Sequence, residues 1–239
     1  MPFYGGYGYY GFGFDWTYFL VIIGAVLCTL ASSRVNSTYS KYSRVRSMTG
    51  LTGADAARRI LQSQGVFDVS VNPVRGSLTD HYDPRTKTVN LSESVYGSTS
   101  VAAVAVAAHE CGHAIQDNVG YGPLRLRAAF VPVANFGSRL SWPLIILGLL
   151  FGASSFIRIG IWMFVLALLF QVITLPVEFN ASGRAIGLLD QLGILSEQEI
   201  PHTKKVLGAA ALTYVAAVAS SLLQLLRLLI LFGGRRNDD

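Results

Sequence analysis

Five consecutive residues, His109, Glu110, Cys111, Gly112 and His113, carry the clearest chemistry in the sequence. They spell H-E-x-x-H. On an α-helix, residues four apart fall about 40° from eclipsed, so the two imidazoles can offer nitrogens to one Zn²⁺. Glu110 lies about 100° further round, where it can reach water at the metal without taking a coordination place, as a general base must. Two core histidines on an apolar helix would explain the pair but not the acid between them, because an unpaired carboxylate there is costly. Cys111 points to the opposite side and reads as a small packing residue, and Gly112 as a point of close helix approach.

A catalytic zinc takes three protein ligands and keeps one position open. Two are in the motif. His81 and His202 are one further candidate pair, and Glu178 and Asp190 are the acidic candidates downstream. Glu178 stands out because it follows the 19-residue uncharged run 159–177, where a carboxylate at a membrane surface calls for a partner. The competing explanation is a solvated interfacial charge.

The elements that must position these residues are written in the composition. The chain is 51% hydrophobic and only 14% charged, with a mean hydropathy of +0.44, a pattern of membrane proteins rather than of cytosolic, disordered or disulfide-built ones. Uncharged stretches cover residues 16–33, 140–157, 159–177 and 206–226. The first three are read as spans, the first being a retained anchor because no Lys or Arg precedes it. The second and third are expected to form a hairpin turning around Arg158, which returns both ends to one side and lets Glu178 meet the motif helix. The fourth is open: either a single span, or a helix over 206–220 packed on the soluble part followed by an interfacial segment over 221–232. Eleven of the 19 Lys and Arg lie between Arg34 and Arg127, which orients that portion to the cytoplasm. The net charge of +5 reports orientation rather than a nucleic-acid surface. Cys28 and Cys111 do not look like a structural bridge.

The expected organisation is an N-terminal Gly/Tyr-rich tail (1–15), an anchor (16–33) and a zincin-like soluble portion (34–127). A membrane hairpin (128–177), a helix and loop carrying the third ligand (178–205), and an apolar helix with a basic end (206–239) complete it. The fold class is α+β, predominantly helical, with three to four membrane helices and a short antiparallel sheet. Within the soluble portion Thr52 starts a helix that Gly65 stops, residues 83–87 form a turn between two strands, and Ser98, Thr99 or Ser100 caps the motif helix. Ser196 and Glu199 fit a capping box for the last helix.

The strings VAAHECGHAIQ, LPVEFNAS and LTYVAAVASSLLQLLRLL resemble the YugP-like neutral zinc metallopeptidases of bacterial membranes, over most of the chain from Trp16. More distantly the sequence is similar to the HtpX and CAAX-prenyl-protease group, in which a segment E-x-x-A-D after a membrane hairpin supplies the third zinc ligand. The resemblance implies that role for Glu178. Phe179, Asn180 and Ala181 keep the pattern, while Ser182 stands where the group has Asp, removing the carboxylate that would orient a histidine ligand. It implies a peptidase, with zinc as cofactor.

The reading is a membrane-bound zinc endopeptidase in which His109, His113 and Glu178 hold the metal and Glu110 is the catalytic base. Its site faces the cytoplasm at a bacterial plasma membrane. The expected partners are the lipid bilayer and protein or peptide substrates near the membrane, held along a strand edge at 78–82 or 88–92, and no nucleic acid. Tyr82, His202, Arg184 and Tyr214 are candidate oxyanion donors. The alternatives are a site-2-type intramembrane protease using Asp190 and a non-catalytic membrane scaffold.

Overall fold

The computed structural model describes residues 15–233, so the tail at 3–14 and the terminal Arg235 and Arg236 lie outside the described residues. The first apolar run continues as one helix, α1 (Tyr18–Tyr42), with Lys41 in its last turn, where a cation meets unpaired carbonyls. The chain leaving α1 is stitched to the start of the motif helix: Ser47 N–H donates to the Thr99 carbonyl and Val101 N–H to the Val45 carbonyl.

Helix α2 (Gly53–Ser63) opens on a capping box in which Thr52 accepts the Asp55 N–H and Asp55 accepts the Thr52 N–H. Gly65, at φ +69°, follows its end. Strands β1 (Ser70–Val74), β2 (His81–Asp83) and β3 (Thr88–Ser92) form a sheet in the order β1-β3-β2. The β2–β3 pair is the expected antiparallel hairpin, turning through 84–87, whereas β1 pairs with β3 in parallel. The sheet is therefore mixed, because residues 75–80 carry the chain past β3 to its far side. One expectation is corrected here. Residues 88–92 offer no free edge, since β3 is the central strand with both sides paired, and β2 is the edge.

After the short α3 (Glu93–Tyr96), Ser100 caps α4 (Val101–Asn118) by accepting the Ala103 N–H at 3.2 Å. Fourteen of the 18 residues of α4 are buried, so this Ala/Val helix is enclosed by its neighbours rather than packed on one face. Cys111 is fully buried against the Ala57 carbonyl, as a packing residue.

Helices α5 (Gly122–Leu150) and α6 (Ser154–Gln191) form the hairpin. Its turn lies at 151–153 and not around Arg158: Gly152 adopts φ +65°, a conformation glycine takes without strain, and Arg158 sits in the opening turns of α6. At 1.5 Å per residue Glu178 lies about 36 Å along α6 from Ser154, just beyond the thickness of a hydrocarbon core.

The last apolar stretch is one unbroken helix, α7 (Ile200–Phe232), continuous through residue 220. Val206 and Leu207 pack in the soluble core, and beyond them α7 lies along α1. At the far end Arg227 pairs with Asp15 at 3.5 Å, donates to Thr17 Oγ1 and covers the Tyr18 ring. Half of the capping box expected at Ser196 forms, the Glu199 carboxylate reaching back to the Ser196 N–H, while the Ser196 hydroxyl donates to that carboxylate instead of accepting the Glu199 N–H. The buried Glu199 carboxylate accepts the Ser196 and Met48 N–H groups, tying the α6–α7 turn to the chain after α1, and α7 starts at Ile200.

Helices α1, α5, α6 and α7 are long and apolar enough to cross a membrane. They expose Phe136 at 61%, Leu150 at 71% and Trp162 at 67%, a surface that suits lipid and not water. The molecule is an α+β membrane protein, and α4 is not among its helices long and apolar enough to cross a membrane.

A polar clamp sets the sheet against α4. The Tyr82 hydroxyl donates to Asp117 Oδ2 at 2.8 Å and Lys87 Nζ donates to the same oxygen at 2.7 Å. Burial works against the Asp117 charge, but the bonds from Lys87 and Tyr82 outweigh it and hold the carboxyl below its usual range. The bond to Asp117 holds Lys87 above its own. A depressed acid stabilises above its unfolded pKa and a raised base below its own, so the clamp is intact from about pH 4 to pH 10 and fades outside that window. Asp117→Asn should cost about 1 kcal/mol at pH 7, a drop of about 2–4 °C in the thermal midpoint in detergent. The difference should shrink as the pH falls below 3, and a pH-independent difference would contradict the clamp.

Candidate metal centre

The motif residues meet α6 because one position on α4 has no side chain. A Cβ on Gly112 would lie 2.6 Å from the Ala181 carbonyl oxygen and 3.0 Å from its Cα. That contact brings the turn of α6 bearing Glu178 against His109 and His113. Glu178 Oε2 lies 3.3 Å from His109 Nε2 and 3.7 Å from His113 Nε2. The three donor atoms fall within 4.8 Å of one another.

The outer nitrogens of both rings are engaged. Gln116, fully buried, donates its amide to the Val177 carbonyl at 2.8 Å and to Asn180 Oδ1 at 3.0 Å. Those two acceptors fix the amide, so its oxygen faces His113 Nδ1 at 3.1 Å. Nδ1 must then carry the proton, which leaves the Nε2 lone pair directed at Glu178. On His109 the partner of Nδ1 is Ser182 Oγ at 3.1 Å, so a hydroxyl orients the ring where the distant group has a carboxylate. The rings stand nearly perpendicular, at 86°.

The electrostatics call for a cation. Glu178 is 3% exposed, and its Oε2 is buried without a hydrogen-bond partner among the described residues. Burial disfavours the charged form of His113, but the adjacent Glu178 and Glu110 carboxylates outweigh this and hold the ring above its ordinary pKa. Positive charge is thus drawn to this point, as a proton or as an ion. Two imidazole nitrogens and one carboxylate oxygen, with an open side, form a donor set that zinc accepts.

That open side is a cleft of about 400 Å³, with Glu110 in its wall. Tyr82 and His81 line it from β2, Arg125 and Arg127 from α5, and Tyr214 from α7.

The remaining candidates fall elsewhere. Both ring nitrogens of His81 are engaged, by the Thr79 carbonyl and Asn90, at the rim of the cleft. His202 stacks on Tyr42 away from it. Asp190 is exposed and about 18 Å further along α6, outside the three-donor group, so it does not take the place that the site-2 arrangement gives it. Arg184 does not line the cleft. It donates to Asn180 Oδ1 at 2.8 Å and so closes the polar chain that holds Gln116. Of the four oxyanion candidates only Tyr82 and Tyr214 line the cleft, and the Tyr82 hydroxyl is committed to Asp117.

Sequence reading passed over Gln116 and Arg127. Gln116 is one helical turn from His113, a spacing at which side chains meet. Arg127 NH1 lies 4.0 Å from Glu178 Oε1, a proximity that no local signal encodes. If the polar chain orients the rings, Gln116→Ala and Ser182→Ala should each lower zinc affinity about 10- to 100-fold, read by chelator competition. Unchanged affinity in both would contradict that role.

Comparison with known proteins gives the family. Residues 17–233 match the family described as "Putative neutral zinc metallopeptidase". The chain is 48% identical to "Putative membrane protease YugP" of Bacillus subtilis (strain 168) over 221 residues, which is 92% of this chain and 98% of that protein. No solved structure matches. The chain belongs to this zinc metallopeptidase family.

Proposed function

We propose that the chain is a membrane-bound zinc endopeptidase that works at the cytoplasmic surface of a bacterial plasma membrane. The observation that carries this reading is the buried, unpartnered Glu178 Oε2 between the two Nε2 atoms of the H-E-x-x-H motif. His109, His113 and Glu178 would hold the metal. When bound there, zinc supplies a Lewis acid that polarises a peptide carbonyl and acidifies water.

The chain's own groups do the rest. Glu110, in the cleft wall beside the three donors, takes the proton from attacking water and delivers it to the departing amine, a general base and then a general acid. Tyr214 faces the same space and has the hydroxyl to donate to the oxygen on which negative charge develops. The free edge of β2, fixed to α4 through Tyr82 and Asp117, offers main-chain hydrogen bonds to an extended substrate.

Orientation follows from the concentration of basic residues between Arg34 and Arg127, on the side where the soluble elements lie. The substrate class follows from the placement of the cleft. Its α5 wall includes Ala128 and Val131, on a helix long and apolar enough to span the bilayer, so membrane-anchored polypeptides reach it at raised effective concentration.

Reconstitution in liposomes tests the whole reading. One unfolded segment is supplied either free or anchored to the bilayer. Wild type should cleave the anchored form faster at matched bulk concentration, and Glu110→Gln should keep its zinc while losing at least about a hundredfold in rate. Retained turnover in Glu110→Gln would reject the base, and equal rates for the two forms would reject the membrane substrate.

A further inference from the structure

The metal centre has a second side. Beside the cleft bounded by α5, the same Asp80, His109, Glu110, Glu178 and Tyr214 border a recess of about 170 Å³. Its walls differ in chemistry from those of the cleft. The cleft carries Arg125, Arg127 and His81, whereas the recess is closed by Val106 of α4, Leu207, Ala210 and Ala211 of α7, Leu78 from the loop between β1 and β2, and Ser182 of α6, whose hydroxyl is paired with His109. No lysine or arginine lines it.

The floor is rigid. Leu207 and Ala211 are buried at 3% and 9% exposure and belong to the part of α7 that starts in the soluble core. The lip is held as well. Asp80, two residues after Leu78, accepts the Ser92 N–H at 2.7 Å and the Ser92 hydroxyl, which ties the loop to the end of β3. Leu78 itself has φ +57° and is half exposed, presenting an aliphatic side chain at the opening. A non-glycine residue in this left-handed region carries backbone strain.

We propose that this recess is a side-chain pocket of the substrate site, selecting a medium-sized aliphatic residue next to the bond that is cut. The inference rests on the peptidase reading above and adds the specificity that this reading lacks. Three observations fix the occupant. The pocket is continuous with the metal centre, sharing five residues with the catalytic cleft. Beyond the metal centre its walls are aliphatic apart from Asp80 and Ser182, whose side chains are already bonded to Ser92 and His109, so a charged or amide side chain would be desolvated without a free partner. A dry aliphatic cavity of about 150 Å³ accommodates a benzene-sized group, which puts leucine, isoleucine and methionine within reach of this one. A polypeptide held against the β2 edge would cross the three donor groups and turn one side chain towards α7.

The test separates binding from cleavage. Zinc-loaded Glu110→Gln, as the full chain in detergent, is titrated with one extended fluorescent peptide carrying Leu, Ala, Glu or Lys at the position to be cut. Leu should bind at least about tenfold tighter than Ala, with Glu and Lys weakest, since even one methylene in such a pocket counts for about tenfold or more. Filling the pocket with Ala210→Phe should shift wild-type cleavage towards Gly and Ala at that position, while enlarging it with Leu207→Ala should admit Phe, the zinc content staying at one per chain. Equal affinities, or tighter binding of the Lys peptide, overturn the pocket while wild-type cleavage still supports the peptidase. A flat preference is also the result expected if a lipid chain fills the recess. No cleavage by wild type alongside a preserved Leu preference removes the peptidase reading and keeps the pocket.

Discussion

A carboxylate buried without a hydrogen bond on one of its oxygens is the constraint on which this structure turns. Leaving Glu178 Oε2 unpaired in a dry site is unfavourable by several kcal/mol unless positive charge lies against it. The two nearest groups are the Nε2 atoms of His109 and His113, and Gln116 accepts the proton on the far side of the His113 ring. The three groups are stabilised together by positive charge between them, as a proton or as a metal cation. The neighbouring architecture keeps this arrangement together. Gly112 permits the close crossing of α4 and α6, the α5–α6 hairpin returns α6 to the soluble side, and Gln116 bonds across the crossing to Val177 and Asn180.

The membrane and the site are built from the same helices. Helix α6 is 38 residues long, about 57 Å, so it must run well beyond any hydrocarbon core, and it carries Glu178 where it emerges. Helix α7 contributes Leu207, Ala210 and Ala211 beside the metal centre and continues along α1 to the Arg227–Asp15 pair at the far end. A change of helix tilt in the bilayer would thus move the wall of the pocket and a donor of the metal centre relative to α4.

What was legible in the sequence was local. The four-residue spacing of His109 and His113, the Thr52 cap and the close approach at Gly112 all depend on helix geometry, which a single sequence carries. What was not legible depended on partners far along the chain. Arg158 reads as a turn because it is a charge between apolar runs, yet the left-handed Gly152 makes the turn and the arginine enters α6. The parallel β1–β3 pairing and the commitment of Glu199 to Met48 depend on tertiary neighbours. For the third donor the residues alone left His81, His202 and Asp190 beside Glu178. Glu178 stood out for its place after the uncharged run 159–177, the family resemblance implied the same role, and the geometry brings it, but not the others, into a three-donor group with His109 and His113.

The central claim is that these three side chains form one zinc site. Zinc K-edge X-ray absorption on the purified full chain tests it most directly. The account predicts a first shell of nitrogen and oxygen at about 2.0–2.2 Å, with outer-shell scattering from two imidazoles and no sulfur. A first shell containing sulfur at about 2.3 Å, which would bring Cys111 or Cys28 to the metal, or scattering from a single imidazole, would contradict it.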